Sequence, residues 1–282
     1  MKVVEIVTKK VIELLEQGTI PWEKGWNTLG TPRNAISKKD YRGFNRFILG
    51  LYSFKDPRFL TYKQAKSLKG NVKKGEKGIP IIYWNFTKKD ENDIDSKDRA
   101  FMRYYTVFNV SQCEELEIKP LETIEKTEIE SILEADKVIS EYYSKPEIIV
   151  GGDDACYVPS LDYVKMPLKE QFKSTVDYYA VLFHEFLHST GHESRLKRFN
   201  TSDIGSMFNK ESYSKEELTA ELGSAILCQM TGIEKPINNT ASYISSWLRA
   251  LKNDKSMIIK SASYADKAVR FITNVKEETI QD

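Results

Sequence analysis

Apolar positions along the 282-residue chain recur at helical spacing, then at strand spacing, then at helical spacing again. Val3, Val4, Val7, Val11, Leu14 and Leu15 predict a helix over 2–17, with Gly18 as a left-handed stop and Pro21 beyond it. A loop over 27–40 precedes a helix from about 41 to 54. Thr61 to Lys69 reads as a short helix, with Thr61 a candidate N-cap and Gly70 its stop. Ile79–Trp84 and Phe101–Val110 are rich in β-branched and aromatic residues and predict a hairpin with a long polar loop over 87–99. A glutamate-rich stretch containing Pro120 follows and predicts a linker over 116–126. Beyond it the pattern predicts a helix over 127–143 and short strands at 147–150, 155–158 and 164–166. A long helix over 169–190 is stopped by Gly191, and a loop covers 193–213. Helices at 215–231, 240–252 and 257–276 complete the chain. Ser214 can cap the first of these three, with Glu217 as its capping-box partner. The fold class expected is α+β in two domains, 1–115 and 127–282.

Composition changes this picture in one respect. The net charge of +1 hides an asymmetry, since residues 1–120 carry 23 Lys+Arg against 15 Asp+Glu and the remainder carries 19 against 26. A basic half joined to an acidic half suggests two tasks, the first facing a polyanion. Cys113, Cys156 and Cys228 lie far apart with no C-x-x-C pair, which suits a reducing, cytoplasmic setting. Charged residues interrupt the N-terminal apolar pattern, arguing against a signal peptide, and no run approaches the ~20 apolar residues of a membrane span.

All three histidines of the protein fall within nine positions, in His184-Glu-Phe-Leu-His-Ser-Thr-Gly-His192. On a helix, His184 and His188 lie one above the other and can bind one metal ion. Glu185 sits beside them, placed to act as general base on a metal-bound water, the arrangement of zinc hydrolysis. Zn²⁺ is the expected ion, with other divalent metals possible, and a catalytic site needs a third protein ligand. Glu217 and Glu221, four apart on the next helix, border an apolar side formed by Leu218, Leu222, Ala225 and Ile226. Glu217 is taken as the third ligand and Glu221 as the residue that orients a histidine; the reverse is open, as is a capping role for Glu217. His192 is the alternative ligand, set back by the break at Gly191.

In the basic half, cations alternate with aromatics: Trp22, Lys24, Trp26, Arg33, Tyr41, Arg42, Phe44, Arg46, Arg58, Tyr62 and Lys63. Lys73, Lys74 and Lys77 surround a glycine turn able to clasp a phosphate. Cations that track phosphates and rings that stack on bases suit single-stranded DNA. Part of this set must be core, and a basic face is often only solvated surface.

Taken together, several motifs resemble the ArdC-type antirestriction proteins of conjugative plasmids and related mobile elements. In the first half these are Ile20-Pro-Trp22, Gly25-Trp26, Tyr41-Arg-Gly-Phe-Asn45, Lys74-Gly-Glu-Lys77 and Val107-Phe-Asn-Val110. In the second half they are the histidine motif, Arg195-Leu196 and Glu216-Glu-Leu-Thr-Ala-Glu221. The resemblance covers nearly the whole chain. It implies an N-terminal single-stranded-DNA-binding domain, a C-terminal zincin-like metallopeptidase domain, and protection of incoming DNA from restriction. Two other readings stay open: a DNA-binding shield with a structural metal, and a host-directed metalloprotease with no DNA role.

Overall fold

The computed structural model describes residues 2–22, 30–52, 54–87, 99–121, 127–199, 210–233 and 241–275. Within these ranges the side chains of residues 2, 84–87, 99–102, 210–212 and 241–243 are not described. The helix α1 (Lys2–Glu16) ends where its apolar stripe ends, and Gly18 closes it at φ +70°. A four-stranded sheet follows in the order β1 (Arg33–Asn34), β2 (Arg58–Thr61), β5 (Arg99–Asn109), β4 (Ile79–Thr87). Only the β1–β2 pairing is parallel. The expected hairpin is β4–β5, in register from Ile79↔Val107 to Thr87↔Arg99. Between β1 and β2, α2 (Gly43–Gly50) lies against β4. Asn45 covers the open edge of β4, donating to the Ile82 carbonyl at 2.6 Å and accepting from its N–H at 2.8 Å. Thr61 caps α3 (Tyr62–Ser67) in a reciprocal capping box with Gln64. The short strands β3 (Asn71–Val72) and β6 (Cys113–Glu114) pair beside it.

In the acidic half, Thr127 and Glu130 form the capping box of α4 (Glu128–Glu141). A three-stranded sheet comes next, ordered β7 (Glu147–Val150), β9 (Tyr163–Met166), β8 (Cys156–Val158), with β8 antiparallel at one edge. The histidine helix is α5 (Thr175–Ser189), followed by α6 (Lys210–Thr231), α7 (Ala241–Asn253) and α8 (Met257–Ile272).

Two helix starts differ from the pattern. α5 begins at Thr175 rather than 169, because the Ser174 side chain accepts from the Asp177 N–H at 3.1 Å and caps the helix. Residues 169–171 form a separate 3₁₀ turn. α6 begins at Lys210, upstream of the expected cap. Ser214 therefore lies inside the helix, its hydroxyl 2.6 Å from that of Ser246 on α7. Glu217 is thereby released from any capping box.

The glutamate-rich stretch separates two compositions, but one of the three apolar clusters of the described residues spans both halves. One apolar cluster joins Val7, Val11 and Leu15 of α1, Trp22, and Phe47 and Ile48 of α2 to residues of α6, α7 and α8. Trp22 meets Trp247 of α7 edge-on at 5.2 Å between ring centres. A second cluster, formed by α4–α6, α8 and the strands of the three-stranded sheet, belongs to the acidic half alone. Across the shared core runs a buried ion pair, Arg46 of α2 to Asp266 of α8 at 3.3 Å, with Arg270 also donating to Asp266 at 3.1 Å. Both side chains are less than a tenth exposed. Removing one partner strands a buried charge, so Asp266→Ala is expected to lower stability by about 3–5 kcal/mol, read by urea unfolding.

Candidate metal centre

The centre is built where α5 and α6 pack together. Gly223 of α6 faces Leu187 of α5 so closely that a Cβ there would lie 2.3 Å from Leu187 Cδ1 and 2.6 Å from Cγ. Leu187 is fully buried, so it can give way only by repacking its neighbours. This approach brings Glu221, half a turn earlier on α6, and Glu216 and Glu217, nearly two turns earlier, against the histidines on α5.

His184, His188 and Glu217 meet there with one donor atom each, all within 4.8 Å of one another. The two Nε2 atoms are 3.1 Å apart, and the Glu217 carboxylate spans them, at 3.5 Å from His184 and 3.4 Å from His188. Tetrahedral ligands ~2.05 Å from an ion lie ~3.3 Å from one another, so the spacing fits a divalent metal. A single carboxylate and two imidazoles in this arrangement leave a further position for water or substrate.

Each histidine is also held from behind. His184 Nδ1 lies 3.4 Å from Glu221 Oε1, the orienting contact expected of that residue. His188 Nδ1 lies 3.4 Å from Glu216 Oε1, a contact that was not expected. Glu216 in turn accepts two hydrogen bonds from Arg198, at 2.7 and 3.2 Å. Burial alone would lower the pKa of His188, but the carboxylates of Glu216 and Glu217 overcome it and hold it well above the ordinary histidine value. Burial likewise works against ionised Glu217, and the two histidines outweigh it and depress its pKa strongly. Buried imidazoles and carboxylates held this close, with pKa values shifted this far, mark the seam between α5 and α6 as a candidate functional site.

Glu185 is buried on the next position of α5, and its Oε2 accepts the backbone N–H of Tyr157 at 2.7 Å. The edge strand β8 thus fixes this carboxylate beside the three donors. His192 lies apart from the cluster. Its Nδ1 accepts the Ser194 N–H at 3.2 Å and lies 3.8 Å from Asp162. Asp162 also accepts from the Tyr157 hydroxyl at 2.8 Å and from Arg195 at 2.6 Å. The alternative of His192 as a ligand is not supported by this geometry, because the turn after Ser189 directs the ring to Ser194 and Asp162.

The basic set is only partly gathered at the surface. Trp22 is 1% exposed in the shared core, so its faces are closed to a base. Arg46 is spent on the buried pair with Asp266. Tyr41 is half-buried against Phe59, Arg33 lies in β1, and Arg42 is exposed just before α2. Trp26 lies outside the described residues. Lys73, Lys74 and Lys77 are exposed around Gly75, which has φ +89°, and Lys73 donates to the Ser111 carbonyl at 2.9 Å. Among the described residues of the basic half, the exposed aromatics are Tyr62 on α3, which the cation–aromatic alternation includes beside Lys63, and Tyr83 on β4 with Tyr104 and Tyr105 on β5, which it does not. Strand register alone would have placed Tyr83 and Tyr105 on one face, with Arg103 opposite Tyr83.

Comparison with known proteins follows the same division. Residues 1–108 match the N-terminal domain of anti-restriction factor ArdC, and residues 134–264 match the zincin-like metallopeptidase family. The chain is 33% identical to the antirestriction protein ArdC of plasmid R388 in its metal-free crystal structure, with a TM-score of 0.79, over 98% of this chain and 100% of that one. The chain belongs to the ArdC antirestriction family. A Mn(II)-bound crystal structure of the R388 protein matches at 34% identity and TM-score 0.78, over 96% and 97% of the two chains. An uncharacterised protein, y4eC, of Sinorhizobium fredii (strain NBRC 101917 / NGR234) is 35% identical over 93% of this chain and 89% of its own. A DNA primase TraC of Escherichia coli is 36% identical across 99% of this chain, yet the chain spans only 28% of that primase's length. The ArdC family is thus shared between short proteins and one segment of much longer ones.

The close approach at Gly223 yields a test. Alanine has the higher helix propensity by ~1 kcal/mol, but its methyl group must displace Leu187, and overpacking costs about 1–3 kcal/mol. Gly223→Ala is expected to lower thermal stability and to weaken divalent-metal binding by pushing Glu217 away from the histidines. Calorimetric titration with Mn(II) and Zn(II) measures it, and wild-type affinity would show that the approach does not set the site.

Proposed function

We propose that this chain protects DNA from restriction, holding single-stranded DNA on its basic half and cleaving a protein substrate at the metal centre. The observation that carries the peptidase reading is the convergence of His184, His188 and Glu217 on one point, with Glu185 fixed beside them. Those three residues would hold the ion, with zinc the best match to two imidazoles and one carboxylate. When bound, the ion supplies Lewis acidity and an acidified water. The remaining work falls to the chain. Glu185 accepts the proton of the attacking water and returns it to the leaving amine, held in position by the Tyr157 N–H. Glu221 and Glu216 keep the imidazole rings oriented from their Nδ1 sides. The edge strand β8 is where an extended peptide would add beside Glu185.

Membership in the ArdC family supports the antirestriction role, and the excess positive charge of residues 1–120 supports the DNA role. No described helix is long and apolar enough to cross a membrane. The stacking face is assigned to Tyr83 and Tyr105, whose rings meet edge-on at 6.1 Å, with Arg103 exposed on the same face.

Two tests separate the halves. Glu185→Gln is expected to retain metal and lose peptide hydrolysis, whereas Glu217→Ala is expected to lose both. Hydrolysis that persists in Glu185→Gln would remove the residue from the proposed role. Protection of transferred plasmid DNA by Glu185→Gln at the wild-type level would assign protection to DNA binding alone. In the basic half, the Tyr83→Ala/Tyr105→Ala variant is expected to lose about 1–3 kcal/mol of oligonucleotide binding per unstacked base. Replacing Lys73, Lys74 and Lys77 by Gln is expected to flatten the salt dependence by roughly 2 in log–log slope, at ~0.7 per contact. Fluorescence anisotropy at several salt concentrations measures both, and unchanged binding in the tyrosine variant would move the stacking face elsewhere.

A further inference from the structure

We infer that Arg198, in the loop after α5, is a positioning residue for the metal centre, acting on His188 through Glu216. Its guanidinium makes four hydrogen bonds to three residues. Two go to the Glu216 carboxylate on α6, from Nη2 at 2.7 Å and Nε at 3.2 Å. One goes to the Leu187 carbonyl at 2.7 Å, and one to the Thr190 hydroxyl at 2.6 Å. Leu187 precedes His188 in the last turn of α5, and Thr190 is the residue just past its end. Arg198 therefore ties the residues on either side of this histidine to the carboxylate that meets its Nδ1 at 3.4 Å. Its side chain is 6% exposed and that of Glu216 is 12% exposed, so the pair is shielded from water.

The geometry has a direct chemical consequence. A carboxylate facing Nδ1 holds the proton on that nitrogen and leaves the lone pair of Nε2 for a metal. It does so only while it keeps its orientation, and a two-toothed guanidinium contact fixes the carboxylate plane in a way a single ammonium cannot. The Leu187 carbonyl, near a helix C-terminus where the dipole also favours a cation, accepts from the Thr190 hydroxyl at 2.7 Å as well as from Arg198. A neighbouring arginine provides the contrast. Arg195 lies in the same loop and is equally buried, but it binds Asp162 and the Ser144 carbonyl and touches no metal donor. Anchoring the loop and positioning the histidine are thus divided between two arginines three residues apart.

This inference rests on the metal reading, and the experiment keeps the two apart. Zn(II) dissociation constants of the full chain are measured by chelator competition, alongside the melting temperatures of the metal-free proteins. Arg198→Met is expected to weaken Zn(II) binding roughly 10- to 100-fold. Arg198→Lys should recover part of that loss, and Arg195→Met should lower the melting temperature while leaving the Zn(II) constant unchanged. Wild-type affinity in Arg198→Met would overturn the inference. So would an equal loss in Arg195→Met, since that would reduce Arg198 to a loop anchor. Should Arg198→Met fail to fold because Glu216 is left as an unpaired buried charge, the Arg198→Met/Glu216→Gln variant removes both charges together. It is expected to show the same weakened binding, and wild-type affinity in it would equally overturn the inference. A wild-type chain that takes up no Zn(II) would remove the metal reading and this inference with it.

Discussion

Everything at the candidate centre depends on how closely α6 can approach α5. Gly223 lets the two helices come together over Leu187, and that approach places three glutamates of α6 against two histidines of α5. Imidazoles and carboxylates buried this way are costly unless they satisfy one another or share a cation. The structure meets that cost in layers. Glu217 faces both Nε2 atoms, Glu216 and Glu221 face the two Nδ1 atoms, and Arg198 faces Glu216. The outer layers leave the Nε2 pair and Glu217 directed at one common point, as a site prepared for an ion requires.

The helix that carries these acids has a second allegiance. Leu218, Leu222 and Ala225 of α6 belong to the core that also contains α1, α2 and Trp22, whereas Ala220, Ile226 and Leu227 belong to the core beneath α5. One face of a single helix therefore supports the basic half while another supports the metal centre. The Arg46–Asp266 pair ties α2 to α8 across the same core. The two halves, distinct in charge and in family relationship, are packed as one body of structure around α6 and α8. The residue types at this seam explain why Trp22 and Arg46 are not available to a nucleic acid despite their place in a basic, aromatic-rich stretch.

Local signals in the chain were legible where they are short in range. The helix stop at Gly18, the cap at Thr61, the β4–β5 hairpin and the H-E-x-x-H motif each depend on a few neighbouring residues, and each appears where the pattern put it. The four-residue spacing of Glu217 and Glu221 is also legible, and the structure sets Glu217 near both Nε2 atoms and Glu221 near the Nδ1 of His184. Spacing alone does not mark Glu216 for His188, because it lies beside Glu217 in a helix rich in acids, where adjacent positions differ by about 100° in direction. The start of α6 was misplaced because Ser214 followed by Glu217 has the form of a capping box, while its actual partner, Ser246, is 32 positions away. Tyr83, Tyr104 and Tyr105 lie outside any cation–aromatic run, and Tyr104 and Tyr105 are both exposed although adjacent on one strand, so alternation along β5 does not mark them.

What the sequence determined by itself was the chemistry on offer. All the histidines are gathered on one helix turn and its end, a glutamate stands beside them, two acids sit at i and i+4 on a later helix, and positive charge is concentrated before residue 121. These follow from residue type and spacing along single elements, and helical geometry carries them into space without further information. The tertiary structure decided which acid meets which nitrogen, that Arg198 stands behind Glu216, that His192 turns to Asp162, and which aromatic rings stay open. Those outcomes depend on the distance and rotation between helices far apart in the chain. Packing sets both, through contacts such as Gly223 on Leu187 that no local pattern contains.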